Sequence, residues 1–468
     1  MHPITRSRNG CLSCKRRKRK CDEKRPECGP CKRRRISCEG YVKILRWVGD
    51  PASQAAESQV VDTETATSPD LQRGRRSSVA ARVSGDRPRA PAQQNGSPAF
   101  SNEDREIFEK FLRSALCKLY NTETQSWIRS IFEQLASKSD ALVSVCIALQ
   151  GYVDDGCDRL SVSSMERFDV ALRTFRAELA SEQEVIETST ACAGLVICSL
   201  CARPFTHYAR SMADLCDIET RMRLLEPGPS CDLPMLHILE CLCVMDLPSY
   251  VLGRVSPSTG MWKRFRAAQD GWAGGRLQGV DVGSGLPRSL LDILSSVQDS
   301  HLEDFESRLW LWPGEVGKYI QCHLWDCWRF AGILEIRRKT GVQKDGALHE
   351  TGASFKVPHT ELVMCRLMAS LDAIYKHIQL RPPDDKYSLV HNGLVFPVAM
   401  ASLEVGILKR RPQWKLTLNN FREHLTRRDS FHFTTVLFDI LDEAWIEDSS
   451  SFDADEAARK RGVEVVMF

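Results

Sequence analysis

Six cysteines near the N-terminus, Cys11, Cys14, Cys21, Cys28, Cys31 and Cys38, follow the spacing C-x2-C-x6-C-x6-C-x2-C-x6-C. The unit C-x2-C-x6-C occurs twice in succession. Thiolates are soft donors suited to zinc, and a structural zinc takes four ligands in a tetrahedron. One ion would leave two of the six sulfurs idle, and two separate ions would need more sulfurs than are present. The count closes if two thiolates each bridge both ions. The repeat suggests that the bridging pair is the equivalent cysteine of each half.

Positive charge is packed between these ligands. Lys15, Arg16, Arg17, Lys18, Arg19 and Lys20 form an unbroken run, and Lys32, Arg33, Arg34 and Arg35 form a second. Against a net charge of +3 for the 468-residue chain, residues 1–40 alone carry +10, so the remainder carries −7. Six thiolates and two zinc ions would leave about +8 on the module. A small, strongly cationic unit on an acidic body is an electrostatic footprint for a phosphate backbone. Leu12 and Ile36 are almost the only large apolar side chains in the segment. Its folding free energy should therefore come from metal, at roughly 10–16 kcal/mol for structural zinc in comparable peptides. Two rival readings are weaker. A disulfide framework would suit a secreted chain, but the opening MHPITRSRNG has no apolar signal core and the other cysteines are scattered like reduced, buried ones. Metal storage gives no reason for ten basic residues between the ligands.

Residues 11–38 resemble the fungal zinc binuclear cluster (Zn2Cys6) of transcription regulators in their full spacing and in Pro26 between the halves. The resemblance implies two Zn2+ ions bridged by Cys11 and Cys28, with double-stranded DNA as partner. It further implies that the first helix enters the major groove and reads a CGG-type triplet from its last turn. By position the reading residues would be Arg17 and Lys18, whose side chains can donate to guanine O6 and N7. Lys15, Arg16, Arg19, Lys20, Lys32, Arg33, Arg34 and Arg35 would mainly contact phosphates, which fix register without carrying sequence information. The function implied is regulation of RNA polymerase II transcription in the nucleus. The run CKRRKRK can also serve as a nuclear import signal.

These residues need elements to position them, and the composition divides the chain into three parts. Residues 1–48 are the expected DNA-binding module. Residues 49–100 are rich in Ser, Ala, Gln, Pro and Gly without helix or strand period, and read as a disordered tether. About fifty such residues span roughly 40 Å. The apolar stretch YVKILRWV at residues 41–48 is too short for a coiled coil, so the protein would bind as a monomer or form a homodimer through its body. It resembles the segment after the cluster in one branch of the family. Arg75, Arg76 and Ser78 resemble a basophilic kinase site, where a phosphate would add about −1.5 to −2 charges.

Residues 101–468 read as mainly α. Phe108, Phe111, Leu112, Ala115, Leu116 and Leu119 lie on one helical stripe. Ser163 and Glu166 suggest a capping box ahead of Met165, Phe168, Leu172, Phe175 and Leu179. Residues 190–202 are apolar all round and predict a buried central helix too short for a bilayer. Val363, Leu367, Leu371, Ile374 and Ile378 give a further stripe, and residues 431–446 a late one. The part least legible runs from 226 to 313, broken by Gly and Pro. The order of cluster, tether and helices, with AGLVICSL and a late Trp, resembles the all-α regulatory region of many zinc cluster factors. Such a body would dimerise, take a small-molecule effector, or contact the transcription machinery.

Catalysis has little support in the sequence. Asp154, Asp155 and Asp158 spell the D-D-x-x-D that binds magnesium in all-helical terpene cyclases, but Gly156 interrupts it and no second metal motif follows. The glycine-rich residues 271–285 lack the G-K-[ST] of a phosphate loop and read as a flexible loop. Cys322, His323 and Cys327 fall in an aromatic helical segment and read as packing. The late stretch AWIEDSSSFDADEA has the composition of an activation segment or of an ordinary acidic tail. The alternative function is a zinc-cluster scaffold protein without gene targeting.

Overall fold

The chain divides into two units, Met1–Arg87 and Pro88–Phe468. The structure, a computed structural model, describes residues 11–38 except 12, 15, 16, 18, 23, 25, 26, 35 and 37. It also describes residues 100–467 except 122–125, 157–159, 182–185, 201–204, 229–230, 298–301, 341–356, 381–388, 431–432 and 448–451. The expected tether, apart from Phe100 at its end, the stretch 41–48 and Ser78 lie outside the described residues.

In the smaller unit the two halves of the cysteine repeat make the same backbone turn. The Cys14 N–H donates to the Cys11 carbonyl at 3.1 Å, and the Cys31 N–H donates to the Cys28 carbonyl at 3.1 Å. Arg19 N–H then reaches the Cys14 carbonyl, as Ile36 N–H reaches the Cys31 carbonyl. In the second half this turn opens a short helix, α1 (Gly29–Arg33), with Cys28 as N-cap and Pro30 in its first turn, where a missing N–H costs nothing.

The larger unit is helical, as its periodicity predicts. Ser101 and Asp104 cap α2 (Asn102–Arg113) reciprocally, each side chain bonding the other's backbone N–H. Phe111 and Leu112, with Ala115 and Leu116 of the following 3-10 turn, are buried as the stripe requires. After α3 (Ser126–Ala136) come α4 (Asp140–Asp155), α5 (Val162–Ser181) and α6 (Thr188–Leu200). The α4 helix packs on α2, α5 and α6. Ten of the thirteen residues of α6 are buried, so the apolar run is a central helix. The cap of α5 is Ser161, not Ser163: the Ser164 N–H donates to Ser161 Oγ at 3.1 Å. Ser163 and Glu166 are exposed within the helix, and so is Met165, while Ala171 and Phe175 carry the buried face.

Continuing along the chain are α7 (Phe205–Leu215), α8 (Ile218–Leu224), α9 (Leu233–Met245), α10 (Met261–Gln269), α11 (Arg288–Leu294), α12 (Leu302–Leu311) and α13 (Tyr319–Thr340). The last of these is a hub, packing on α12, α14 (Thr360–Gln379) and α15 (Val395–Ser402). Trp325 and Trp328 on α13 are buried, and their indole N–H groups donate to the Gly285 and Gly393 carbonyls at 2.7 and 2.8 Å. The chain closes with α16 (Val405–Arg410), α17 (Pro412–Arg428), α18 (Phe433–Glu447) and α19 (Ala454–Lys460). Among the described residues the sheet content is one antiparallel pair, β1 (Val251–Leu252) with β2 (Val465–Val466), in the register Val251↔Val466.

Two expectations are corrected here. The late acidic stretch is not a free tail, for Phe452 is buried, Asp453 caps α19, and the chain beyond joins β1. The glycine-rich residues do form a loop, but its second half is built into the core. Asp281, Ser284 and Leu286 have no exposed surface, and the Gly283 carbonyl accepts the Asn121 N–H at 3.0 Å.

Candidate metal centre and nucleic-acid interface

Five of the six N-terminal cysteines are buried, Cys38 is half-buried, and none is in a disulfide. Their sulfurs approach to 3.5 Å for Cys11 and Cys28, 3.6 Å for Cys14 and Cys28, and 3.8 Å for Cys11 and Cys31. These separations are far too long for a sulfur–sulfur bond of about 2.05 Å. They match the edge of a zinc tetrahedron: four sulfurs about 2.3 Å from one ion lie roughly 3.8 Å apart. Two groups of four ligand atoms lie within 4.8 Å of one another, Cys11, Cys14, Cys21 and Cys28, and Cys11, Cys28, Cys31 and Cys38. Cys11 and Cys28 belong to both. The donor set therefore fits two zinc ions, each with four sulfurs, sharing the first cysteine of each half.

Electrostatics supports the same fit. Burial pushes the thiols of Cys11, Cys14 and Cys28 up, so without metal these sulfurs keep their protons. A dication is the natural counter-charge for so many packed thiolates, and its binding must release protons.

One residue of this centre escaped the sequence reading. Asp22, directly after Cys21, accepts the Gly29 N–H through Oδ1 at 2.9 Å and Oδ2 at 3.1 Å. It thereby ties the end of the first half to the start of α1, whose turn presents Cys28 and Cys31. A Cβ on Gly29 would stand 2.4 Å from Asp22 Oδ2, so the contact needs glycine there. The only sequence signal was a carboxylate abutting a ligand.

Of the ten basic residues, Arg17, Arg19, Lys20, Lys32, Arg33 and Arg34 are described and all are exposed. Lys15, Arg16, Lys18 and Arg35 lie outside the described residues. Exposed cations around a buried sulfur core are free to meet phosphate oxygens.

The other candidates do not assemble into sites. Asp154 pairs with Lys110 at 2.8 Å and accepts from Gln150 at 2.7 Å. Asp155 accepts the Ser161 N–H at 2.8 Å, and this bond holds its carboxyl below the usual range. The two carboxylates are thus engaged in an ion pair and a helix connection, and Asp158 lies outside the described residues. His323 meets Ser370 Oγ at 3.3 Å and Cys327 is buried in α13. Among the described residues, the cysteine cluster holds the only grouping of three or more metal-binding side chains within reach of one ion. No described helix is long and apolar enough to cross a membrane.

Comparison with known proteins agrees with this geometry. Residues 9–47 match the family described as the fungal Zn(2)-Cys(6) binuclear cluster domain. A stretch of 55 residues is 42% identical to "Pestheic acid cluster transcriptional regulator 3" of Pestalotiopsis fici, covering 11% of this chain and 10% of that protein. The chain thus spans about a tenth of the length of the curated relative it matches. No solved structure matches. The spacing, the two sulfur tetrads and the family match converge: at residues 9–47 the chain carries a fungal Zn(2)-Cys(6) binuclear cluster domain.

Proposed function

We propose that this protein is a zinc-dependent, sequence-specific DNA-binding regulator of RNA polymerase II transcription, acting in the nucleus and not as an enzyme. The observation that carries the reading is the pair of sulfur tetrads sharing Cys11 and Cys28 inside a segment whose described lysines and arginines are all exposed. In this reading Cys11, Cys14, Cys21, Cys28, Cys31 and Cys38 hold two zinc ions, which supply the fold of a segment without an apolar core. Arg17 and Lys18 donate to guanine in a CGG-type triplet, and the remaining basic residues grip phosphates. The domain limits proposed are 1–48 for the module, 49–100 for the tether and 101–468 for the helical regulatory body. That body is the part available for a homodimer contact or for the transcription machinery.

The test is binding of the full chain to a CGG-containing duplex and to a scrambled duplex, with zinc and after chelation. The reading expects zinc-dependent binding at least a hundredfold tighter to the CGG duplex at fixed salt. It also expects a steep fall with salt, close to 0.9 log unit per log unit of salt for each phosphate neutralised. Equal affinity for both duplexes would replace it with the scaffold alternative.

A further inference from the structure

Far from the cysteine cluster in sequence, the larger unit contains a cavity of about 50 Å3 between α3, α6 and α9. Its wall is mainly apolar, with Phe132 and Leu135 from α3, Val196 from α6, and Ile238 and Val244 from α9. Asp281 and Ser284, from the buried half of the glycine-rich loop, also line it.

Asp281 has 0% of its surface exposed. Its Oδ2 accepts the Ser284 N–H at 2.6 Å and the Ser284 hydroxyl at 2.5 Å. Among the described residues its Oδ1 has no hydrogen-bond partner. The neighbouring Asn121, 1% exposed, finds no partner among the described residues for either Oδ1 or Nδ2 of its side chain. Buried polar atoms in native proteins are nearly always satisfied, and an unpaired buried charge is among the costliest exceptions. Arg288 lies close enough to attract the carboxylate but donates no hydrogen bond to it. Arg288 is committed to Glu240 at 2.6 and 2.8 Å and to the Gln278 and Val280 carbonyls. His237 is bonded to the Tyr120 hydroxyl at 3.2 Å, and burial pushes its pKa down. Asp281 forms no ion pair among the described residues. The chamber is therefore apolar but for a few polar side chains, and Asp281 in its wall carries a buried oxygen without a hydrogen-bond partner among the described residues.

We propose that this cavity binds a small aliphatic ammonium ion, whose N–H groups donate to Asp281 Oδ1 and whose carbon chain lies against the apolar wall. With about 10–15 Å3 needed per water-sized group, the space takes roughly three to five heavy atoms. A hydroxyl would satisfy the hydrogen bond but not the charge, and a carboxylate would be repelled. A metal ion would find one free oxygen and no second ligand set. The proposal stands apart from DNA binding, because it concerns the helical body alone and its readout is ligand binding.

The experiment titrates the full, zinc-loaded chain with n-butylammonium, n-butanol and n-butanoate at equal ionic strength. It follows calorimetric binding and the thermal transition. Saturable binding of n-butylammonium at least tenfold tighter than n-butanol, with none for n-butanoate, is expected. Asp281→Asn, checked for native circular dichroism, should weaken the ammonium at least tenfold and leave the alcohol within twofold. No saturable binding of the ammonium, meaning a chamber filled by water only, would overturn the proposal. So would equal binding of alcohol and ammonium, or an unchanged affinity in a folded Asp281→Asn chain. If that variant does not fold, the ligand series on the unaltered chain decides.

Discussion

Asp22 offers the sharpest test of how this small module is assembled. Its carboxylate accepts one backbone N–H, that of Gly29, at 2.9 and 3.1 Å. Hydrogen bonds to charged groups contribute about 1.5–3 kcal/mol. Asp22 is exposed, and solvent screening reduces that to roughly 1–2 kcal/mol. Folding and metal binding are one process in a segment this poor in apolar contacts, so the loss should appear in full as weaker zinc binding. Asp22→Ala should thus lower zinc affinity by about 5–30-fold. Asp22→Asn, which keeps an acceptor without the charge, should fall in between. The assay is competition between the full chain and a chromophoric chelator of known affinity at constant pH. Gly29→Ala supplies the complementary arm. Its methyl group would displace the same carboxylate and should cost about as much, and the double variant should be little worse than either alone. An unchanged zinc affinity in Asp22→Ala would refute the reasoning, as would additive losses in the double variant.

Three further outcomes are expected. Native mass spectrometry should find two metal ions on the intact chain. Cys38→Ser, which leaves the tetrad of Cys11, Cys14, Cys21 and Cys28 complete, should retain one more firmly than Cys11→Ser, which depletes both tetrads; equal loss would contradict the shared-sulfur arrangement. In the body, Glu306 and Arg337 form a bidentate pair at 3.1 and 2.7 Å with side chains 3% exposed. Glu306→Ala strands a buried cation and should cost about 3–5 kcal/mol in urea denaturation, with a loss under 1 kcal/mol counting against it. Burial, with Arg428 and His424 adding positive charge, lowers the His391 pKa to about 2, while His424 Nε2 lies 3.0 Å from its Nδ1. The folded state therefore refuses a proton that the unfolded chain accepts below about 6.5, so stability present above that pH is lost as pH falls. Between pH 6.5 and 4.5 the loss from this residue is about 2–3 kcal/mol. His391→Asn should flatten the pH profile by that amount, and a profile parallel to that of the unaltered chain would refute the assignment.

What the sequence disclosed follows from the range over which each interaction acts. Ligand spacing is a covalent constraint, so six sulfurs revealed the cluster, and the repeat anticipated that equivalent cysteines are the shared pair. Helices with a long amphipathic period, such as α2 and α14, were equally plain. The region from 226 to 313 was opaque because its elements are short and held by distant partners. Asp246 collects N–H and hydroxyl groups from Ser258, Thr259 and Met261, and Arg266 reaches Asp292 at 2.9 Å. No local pattern announces such contacts. The cap of α5 was misplaced for a related reason. Ser-x-x-Glu beginning at Ser163 satisfies the local rule, but the Asp155 carboxylate holds the Ser161 N–H at 2.8 Å and starts the helix there. Similarly, acidic composition cannot reveal that Phe452 is buried and that the following chain pairs with β1.

The two units therefore depend on different forces, and this bears on how the protein can be controlled. The cysteine module holds a single satellite of buried sulfurs with Cys38 at its edge. Its stability must track zinc availability and pH, since the thiols must lose their protons for metal to bind. The body holds Trp262, Trp325, Trp328 and many other buried apolar side chains, whose burial is expected to drive its folding. Chelation should then abolish the fold of residues 11–38 while leaving the thermal transition of the helices in place. Far-UV circular dichroism records the helices, and zinc-edge absorption or chelator uptake records the cluster. A single transition that moved with zinc would mean the body requires the cluster for its stability, and the separation of forces argued from their composition would fail.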